Sequence, residues 1–126
     1  MNDSNPFEFD FFQVISQSFP ALKLLRMSNS HPQKAKQHLS TSIAFPHLTY
    51  LDLTDSHVDY AEQFLLIKNA YVPRLTHLCM RYKSLVSITN NFINDVTEFN
   101  FTAVKCIDDC ESFVRPKRFS QYFPLV

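Results

Sequence analysis

The chain has 126 residues, of which 45% are hydrophobic, and its 12 basic residues balance its 12 acidic residues. This is enough material for one domain with one core, and the zero net charge removes the electrostatic footprint of a general nucleic-acid binder. Glycine is absent, which excludes a phosphate-binding loop, a dinucleotide fingerprint and a nucleophile elbow, because each needs glycine where the backbone turns sharply or approaches a ligand.

No secretory signal and no membrane-spanning segment is visible in the sequence. The start, MNDSNPFEFDFF, has no positive charge ahead of an apolar segment, and no apolar run reaches the length that crosses a membrane. Three cysteines, an odd number, do not form a closed set of disulfides. We therefore predict a protein of the cytoplasm or nucleus that binds neither membranes nor nucleic acid.

The first predicted element is a helix near the start of the chain. Phe7, Phe11 and Ile15 have the four-residue spacing of one helical face, and Phe12 lies next to it. No strand phrase of the kind described below precedes this segment. We interpret residues 1–18 as the helix of a truncated preceding repeat.

A twelve-residue phrase then occurs three times, and a fourth time in degraded form. The copies begin at Phe19, Phe45, Val72 and Phe101, so successive starts are 26, 27 and 29 residues apart. The second copy reads Phe45-Pro46-x-Leu48-x-x-Leu51-x-Leu53-x-x-Ser56. Self-similarity at this spacing is typical of a stacked repeat array, which presents an extended surface, and it argues against an enzyme.

Apolar and polar residues alternate inside each phrase, as in a short strand with one face turned inward. The segment after each phrase is long enough to return as a helix, and strand–helix–strand units of this size give a parallel sheet lining a curved solenoid. We predict one buried ladder across the strands, made of Leu25, Leu51, Leu78 and Ile107. We predict a second buried row at the starts of the phrases, made of Phe19, Phe45, Val72 and Phe101.

Four connecting segments are predicted to be helical. The strongest is Asp59 to Ala70, with Asp59 as a cap and Lys68 near its end. The others are residues 33–42, followed by an inward Ile43, residues 90–98, and residues 115–122, where Pro116 suits a first helical turn. We place these helices on the convex side of the array.

The repeats are predicted to span about residues 19–44, 45–71, 72–100 and 101–122. Residues 123–126, Phe-Pro-Leu-Val, restate the opening of the phrase as the start of a further truncated repeat. We therefore expect the chain to be part of a longer array. Uncapped repeat ends would leave apolar edges open, from which we expect self-association.

The register of the phrases also defines an outward face, on which equivalent residues stack about 4.8 Å apart. Arg26 and Asp52 should pair across neighbouring strands, for ~0–1 kcal/mol. Tyrosine and arginine are frequent anchors of protein interfaces. The predicted partner-binding residues are Arg26, Tyr50, Asp52, Thr54, His77, Cys79, Arg81, Tyr82 and Asp108.

The last two strands carry the one set of residue types suited to metal or cysteine chemistry. The set is His77, Cys79, Cys106, Asp108 and Cys110. Two observations argue against a metal site. No Cys-x-x-Cys motif occurs, and Cys106 and Cys110 lie too far apart on an extended strand to bind one ion. We predict no bound metal, no catalytic residue and no cofactor.

The fourth copy departs from the pattern at Asp109, which stands where the other copies have Met27, Leu53 and Met80. An unpaired carboxylate is costly to bury. Two interpretations stay open here: a bulge that turns Asp109 outward, or a frayed strand.

The spacing Leu-x-x-Leu-x-Leu-x-x-polar-x-Leu resembles the leucine-rich repeat, and the 26- to 29-residue period with a Phe-Pro opening is similar to the repeat tails of intracellular F-box proteins. The resemblance implies an α/β leucine-rich-repeat solenoid, with short parallel strands on the concave side and helices on the convex side. It also implies a protein-interaction module, and more narrowly the substrate-recognition part of an F-box-type ubiquitin ligase receptor. The alternatives are a structural or degenerate repeat fragment without a dedicated partner and, more remotely, a metal-binding or cysteine-based site on the last two strands.

Overall fold

The structure, a computed structural model, describes residues 15–29, 43–108 and 115–126. Residues 15–18 are helical; the rest of the helix predicted near the start, and the one predicted at 33–42, lie outside the described residues. The remaining elements, in chain order, are β1 (Leu24–Asn29), β2 (Ile43–Ala44), β3 (Tyr50–Ser56), α1 (Val58–Leu65), β4 (Ala70–Tyr71), β5 (His77–Cys79), α2 (Tyr82–Ile88), a short 3-10 helix (Val96–Glu98), β6 (Cys106–Asp108) and α3 (Phe119–Tyr122).

The four phrases form four neighbouring strands of one parallel sheet, in the order β1-β3-β5-β6. Leu25 pairs with Leu51, Leu51 with Leu78, and Leu78 with Ile107. The three leucines are buried, and Ile107 is half-buried against the same core. The predicted inward ladder is therefore confirmed, as is the mixed α/β class with parallel strands.

Each junction between copies repeats the same backbone contacts. The carbonyl of Lys23 accepts from the N–H groups of Thr49 and Tyr50, at 2.9 and 3.0 Å. One copy later, the carbonyl of Thr49 accepts from Thr76 and His77 at 3.0 and 2.9 Å, and that of Thr76 accepts from Lys105 and Cys106 at 2.8 and 3.1 Å. At each junction one carbonyl accepts from two N–H groups, so each strand begins at the same position relative to the strand before it.

The register shifts once, near the end of the first strand pair. Arg26 pairs with Asp52 as predicted, but Ser28 pairs with Asp55 instead of Thr54. The hydroxyl of Ser56 donates to the carbonyl of Met27 at 2.9 Å, which stabilises the shifted arrangement. Ser28 and Thr54, which hold equivalent positions in the first two copies and were expected to stack, therefore do not pair.

The opening turn of the phrase recurs five times, and the residue that begins it is usually buried. Each time, the N–H three residues later donates to the carbonyl of the first residue, as from Leu48 to Phe45 at 3.2 Å and from Val126 to Phe123 at 3.2 Å. Phe45, Val72 and Phe101 are buried as predicted, but Phe19 is 59% exposed. Phe19 opens the copy at the edge of the described sheet, whereas Phe45 packs on Phe64 of α1 with ring centroids 5.6 Å apart.

The return segment of the second copy folds as a shorter helix than predicted. Helix α1 begins at Val58, capped by His57, whose Nδ1 accepts from the N–H of Asp59 at 3.1 Å. It ends at Leu65 because the chain then leaves to pair with other segments. Residues 70 and 71 form β4, which pairs in parallel with β2, so Ile43 and Ala70 are strand residues and both are buried.

The segment that follows the strand of the third copy differs more from the predicted structure than that of the second copy does. The helix is α2, directly after the strand, and the predicted helix over residues 90–98 is wrong. Asn90, Asn91 and Phe92 have left-handed backbones, with φ of 51°, 56° and 60°. Asparagine tolerates this region better than most residues, and the buried hydroxyl of Thr89 accepts from the N–H of Phe92 at 3.1 Å. The asparagine-rich segment therefore ends a helix rather than forming one.

The end of the described chain packs on this left-handed turn. Helix α3 spans four residues, less than the predicted 115–122, and Arg118 precedes it. Arg118 Nη1 donates to the carbonyls of Phe92 and Ile93 at 2.7 and 3.0 Å, and the hydroxyl of Tyr122 donates to the carbonyl of Asn94. The predicted conflict at Asp109 lies outside the described residues, which resume after β6 at residue 115. Within the described residues, no helix is long and apolar enough to span a membrane.

Candidate interaction face

The outward side of the main sheet carries two rows of side chains set by the strand register. One row runs Leu24, Tyr50, His77 and Cys106, and the other runs Arg26, Asp52, Cys79 and Asp108. We use the name strand face for these eight residues together with Thr54. Seven of the nine predicted partner-binding residues belong to it.

An aromatic pair lies at the centre of the first row. The rings of Tyr50 and His77 are stacked, with centroids 6.1 Å apart and planes inclined by 19°. The hydroxyl of Thr76 lies 3.1 Å from His77 Nδ1 and helps to fix the imidazole. His77 is exposed and Tyr50 half-exposed, so the pair presents an ordered aromatic surface to solvent.

Charges lie beside this pair in the second row. Arg26 Nε donates to Asp52 Oδ2 at 3.0 Å, which confirms the predicted ion pair. The other carboxylate oxygen of Asp52 accepts from the N–H of Thr54, also at 3.0 Å. Asp52 is thus held by two neighbours, while Arg26 stays mostly exposed. An exposed pair of this kind contributes ~0–1 kcal/mol.

Cys79 is the most buried side chain of the strand face and joins its two rows. Its sulfur lies 3.2 Å from the hydroxyl of Tyr50 and 3.8 Å from Asp108 Oδ2. Since an ionised carboxylate only accepts, the thiol donates to Asp108 and its sulfur accepts from Tyr50. The hydrogen bond with Cys79 raises the pKa of Tyr50, and burial raises the pKa of Cys79. A thiol held in its neutral form is a poor nucleophile, so this arrangement suits packing better than catalysis.

The two remaining predicted residues, Arg81 and Tyr82, follow strand β5. Arg81 Nε donates to the carbonyl of Thr54 at 2.9 Å, which fixes its guanidinium against the end of β3. Tyr82 is not on the outward face as predicted. It begins α2, where its ring stacks on Phe92 with centroids 6.2 Å apart. The helix starts earlier than the phrase pattern indicates, and this turns Tyr82 toward the core.

Of the residues considered for metal binding, Cys110 lies outside the described part of the chain. Among the described residues, no group of three or more histidine, cysteine or acidic side chains is placed to hold a metal ion. Cys79 and Cys106 are free thiols. The contacts that Cys79 does make are hydrogen bonds with Tyr50 and Asp108 of the strand face.

A polar cleft that the phrase pattern does not indicate lies at the carboxyl ends of the strands. Its volume is about 790 Å³, and its walls come from the end of β3, the start of α1 and the exposed side of α2. Arg81 and Lys83 line it together with His57, Asp55 and several hydroxyl groups. The sequence signal for this cleft is the polar residue that closes each phrase, because ligands of α/β sheets bind beyond the carboxyl ends of the strands.

Comparisons with protein-family models, with curated proteins and with solved structures gave no match for this chain.

Proposed function

We propose that this protein is a protein-interaction module of the leucine-rich-repeat type, which binds a protein partner on the strand face and is not an enzyme. In this proposal the parallel sheet is part of a solenoid, and the module works in the cytoplasm or nucleus. The narrower form of the proposal is that the module holds the substrate of an F-box-type ubiquitin ligase.

The observation that carries the proposal is the stacked pair of Tyr50 and His77 on a rigid sheet. Their strands, β3 and β5, are both internal, so each is hydrogen-bonded on two sides. An interface gains most from large side chains that are already ordered, because less conformational entropy is lost on binding. Tyr50 meets this condition through its ring contact with His77 and its hydrogen bond with Cys79.

The charges around the aromatic pair support the same proposal. Arg26 and Asp52 flank it on one side, and Asp108 lies on the outermost strand of the other side. A central aromatic patch with a charged rim is the usual anatomy of a protein interface. The neutral, hydrogen-bonded thiol of Cys79 between them favours a binding surface over a nucleophile.

The test is quantitative capture of proteins from a lysate of the native source, with matched variants on two sides of the molecule. Tyr50→Ala on the strand face, and Arg81→Ala next to it at the end of β3, should weaken capture of a specific protein by ~1–3 kcal/mol. The controls are Tyr71→Ala, at a tyrosine that is 57% exposed on β4, and Lys68→Ala, at an exposed lysine just after α1. These should capture the same protein as the wild type does.

Two outcomes would contradict the proposal. Equal capture by the Tyr50 and wild-type proteins, with loss on changing Lys68 or Tyr71, would move the interface away from the strand face. No specific capture by the wild type would favour a structural repeat without a dedicated partner. Recovery of cullin-type ligase subunits would support the narrower form.

A further inference from the structure

We propose that the cleft at the carboxyl ends of β3 and β5 binds a phosphoryl group. This site adjoins the strand face, with which it shares Thr54, but the inference does not depend on that face binding a protein. The cleft's volume, about 790 Å³, lies within the range of small-ligand sites, ~300–1,000 Å³.

Hydrogen-bond donors of three chemical types converge on the cleft. Arg81 and Lys83 supply positive charge, and the hydroxyl groups of Ser28, Thr54, Ser84 and Ser87 also line the cleft. The hydroxyl of Ser56 lines it too, but its proton is already donated to the carbonyl of Met27. A phosphoryl group is acceptor-only, with three oxygens that need several donors arranged in three dimensions. A carboxylate has two coplanar oxygens and would use fewer of these groups.

Arg81 is held in place before any ligand arrives. Its Nε donates to the carbonyl of Thr54 at 2.9 Å, and its Nη2 lies 3.7 Å from Asp55 Oδ1. The first contact fixes the plane of the guanidinium. The second is a long ion pair with the carboxylate of Asp55, which is 68% exposed. A doubly charged anion can therefore displace Asp55 from Arg81 at a small cost in free energy.

The tautomer of His57 adds a further donor. Its Nδ1 accepts from the N–H of Asp59 at 3.1 Å, so a neutral imidazole must carry its proton on Nε2. In this tautomer Nε2–H is a donor on a residue that lines the cleft, while Nδ1 also lies 3.5 Å from Oδ1 of the buried Asp59. Among the described residues of the lining, Asp55 is the one acidic side chain, and it opposes an anion.

The experiment is an NMR titration of the folded chain with sodium phosphate at constant ionic strength. We expect saturable shifts at the amides of His57, Lys83 and Ser84, with no response to chloride and a weaker one to acetate. Arg81→Gln should weaken phosphate binding about fivefold and Lys83→Gln about threefold, whereas Asp55→Asn should tighten it about threefold. Arg74→Gln, at an exposed arginine beyond the opposite ends of the strands, is the matched control and should change nothing.

The opposite signs of the Lys83 and Asp55 effects keep the test decisive even if the Arg81 variant fails to fold. The proposal is overturned if acetate binds as well as phosphate does. It is also overturned if Lys83→Gln and Asp55→Asn both leave binding unchanged, or if Arg74→Gln weakens it equally.

Two further probes identify the source of the phosphoryl group. Stronger binding of N-acetyl-phosphoserine amide than of ribose 5-phosphate would assign the cleft to a phosphorylated protein chain, and the reverse order would assign it to a free phosphorylated metabolite. Equal affinity for both probes and for inorganic phosphate would assign it to the free ion. Each of these three outcomes supports binding of a phosphoryl group in the cleft.

Discussion

The first copy of the phrase and the second copy differ in burial although their sequences match. Phe45 is 1% exposed, and Phe19, at the same place in its own copy, is 59% exposed. Strand β3 has a neighbour on each side, whereas β1 is the edge of the described sheet. The phrase therefore specifies the strand and its opening turn, whereas burial of its first residue depends on the copies that pack around it.

The largest expected effect tests this difference directly. Phe45→Ala should lower the free energy of unfolding by ~3–5 kcal/mol, because it opens a cavity against the ring of Phe64. Phe19→Ala should change it by less than about 0.5 kcal/mol. Denaturant unfolding followed by far-UV circular dichroism measures both. Equal losses would mean that the two positions are buried alike.

The same contrast can be made between a leucine of the internal strand β5 and one of the edge strand β1. Leu78 is buried in the ladder, while Leu24 is 55% exposed at the edge strand. Leu78→Ala should cost ~2–5 kcal/mol, whereas Leu24→Ala should be nearly neutral. If the exposed leucine proved as sensitive as the buried one in the same unfolding assay, the assignment of inward and outward faces would be wrong.

A smaller effect is expected at the contact between α3 and the left-handed turn. Tyr122→Phe removes the hydroxyl that donates to the carbonyl of Asn94 and should cost about 1 kcal/mol. Tyr71→Phe, at an exposed tyrosine, is the matched control and should cost nothing measurable. Hydrogen exchange at Ile93 and Asn94 should also rise in the Tyr122 variant alone. Unchanged exchange there would show that the contact does not hold the turn.

The smallest effect is expected at the exposed ion pair. Arg26→Gln removes the contact with Asp52 and should cost ~0–1 kcal/mol, less at high salt because the pair is screened. The double variant Arg26→Gln/Asp52→Asn measures the coupling between the two side chains. A cost above about 2 kcal/mol would mean that the pair is far less exposed than described.

The strands were predictable because period-two alternation is a local property of the chain. The ladder through Leu51 and Leu78 and the pairing of Arg26 with Asp52 both follow from aligning the phrases. The shift that pairs Ser28 with Asp55 could not be predicted in this way, because it depends on a hydrogen bond between two copies.

The connecting segments were less predictable because tertiary contacts decide where each helix ends. Helix α1 ends early so that Ala70 can pair with Ile43, and neither residue has a local pattern that indicates this strand. Residues 90–98 carry apolar side chains at helical spacing, but the asparagines take the left-handed conformation. The position of Tyr82 was wrong for the same reason, since α2 begins one residue after Arg81.

The central claim is that successive copies lie side by side in parallel register and so bring Tyr50 and His77 together. Through-space NOE measurement on the isotope-labelled chain tests it most directly. We expect cross-peaks between the rings of Tyr50 and His77, and between the backbone groups of Thr49 and those of Thr76 and His77. Backbone cross-peaks that place Thr49 and Tyr50 opposite Leu78 and Cys79 instead of Thr76 and His77, or that run in opposite directions along the two strands, would contradict the account.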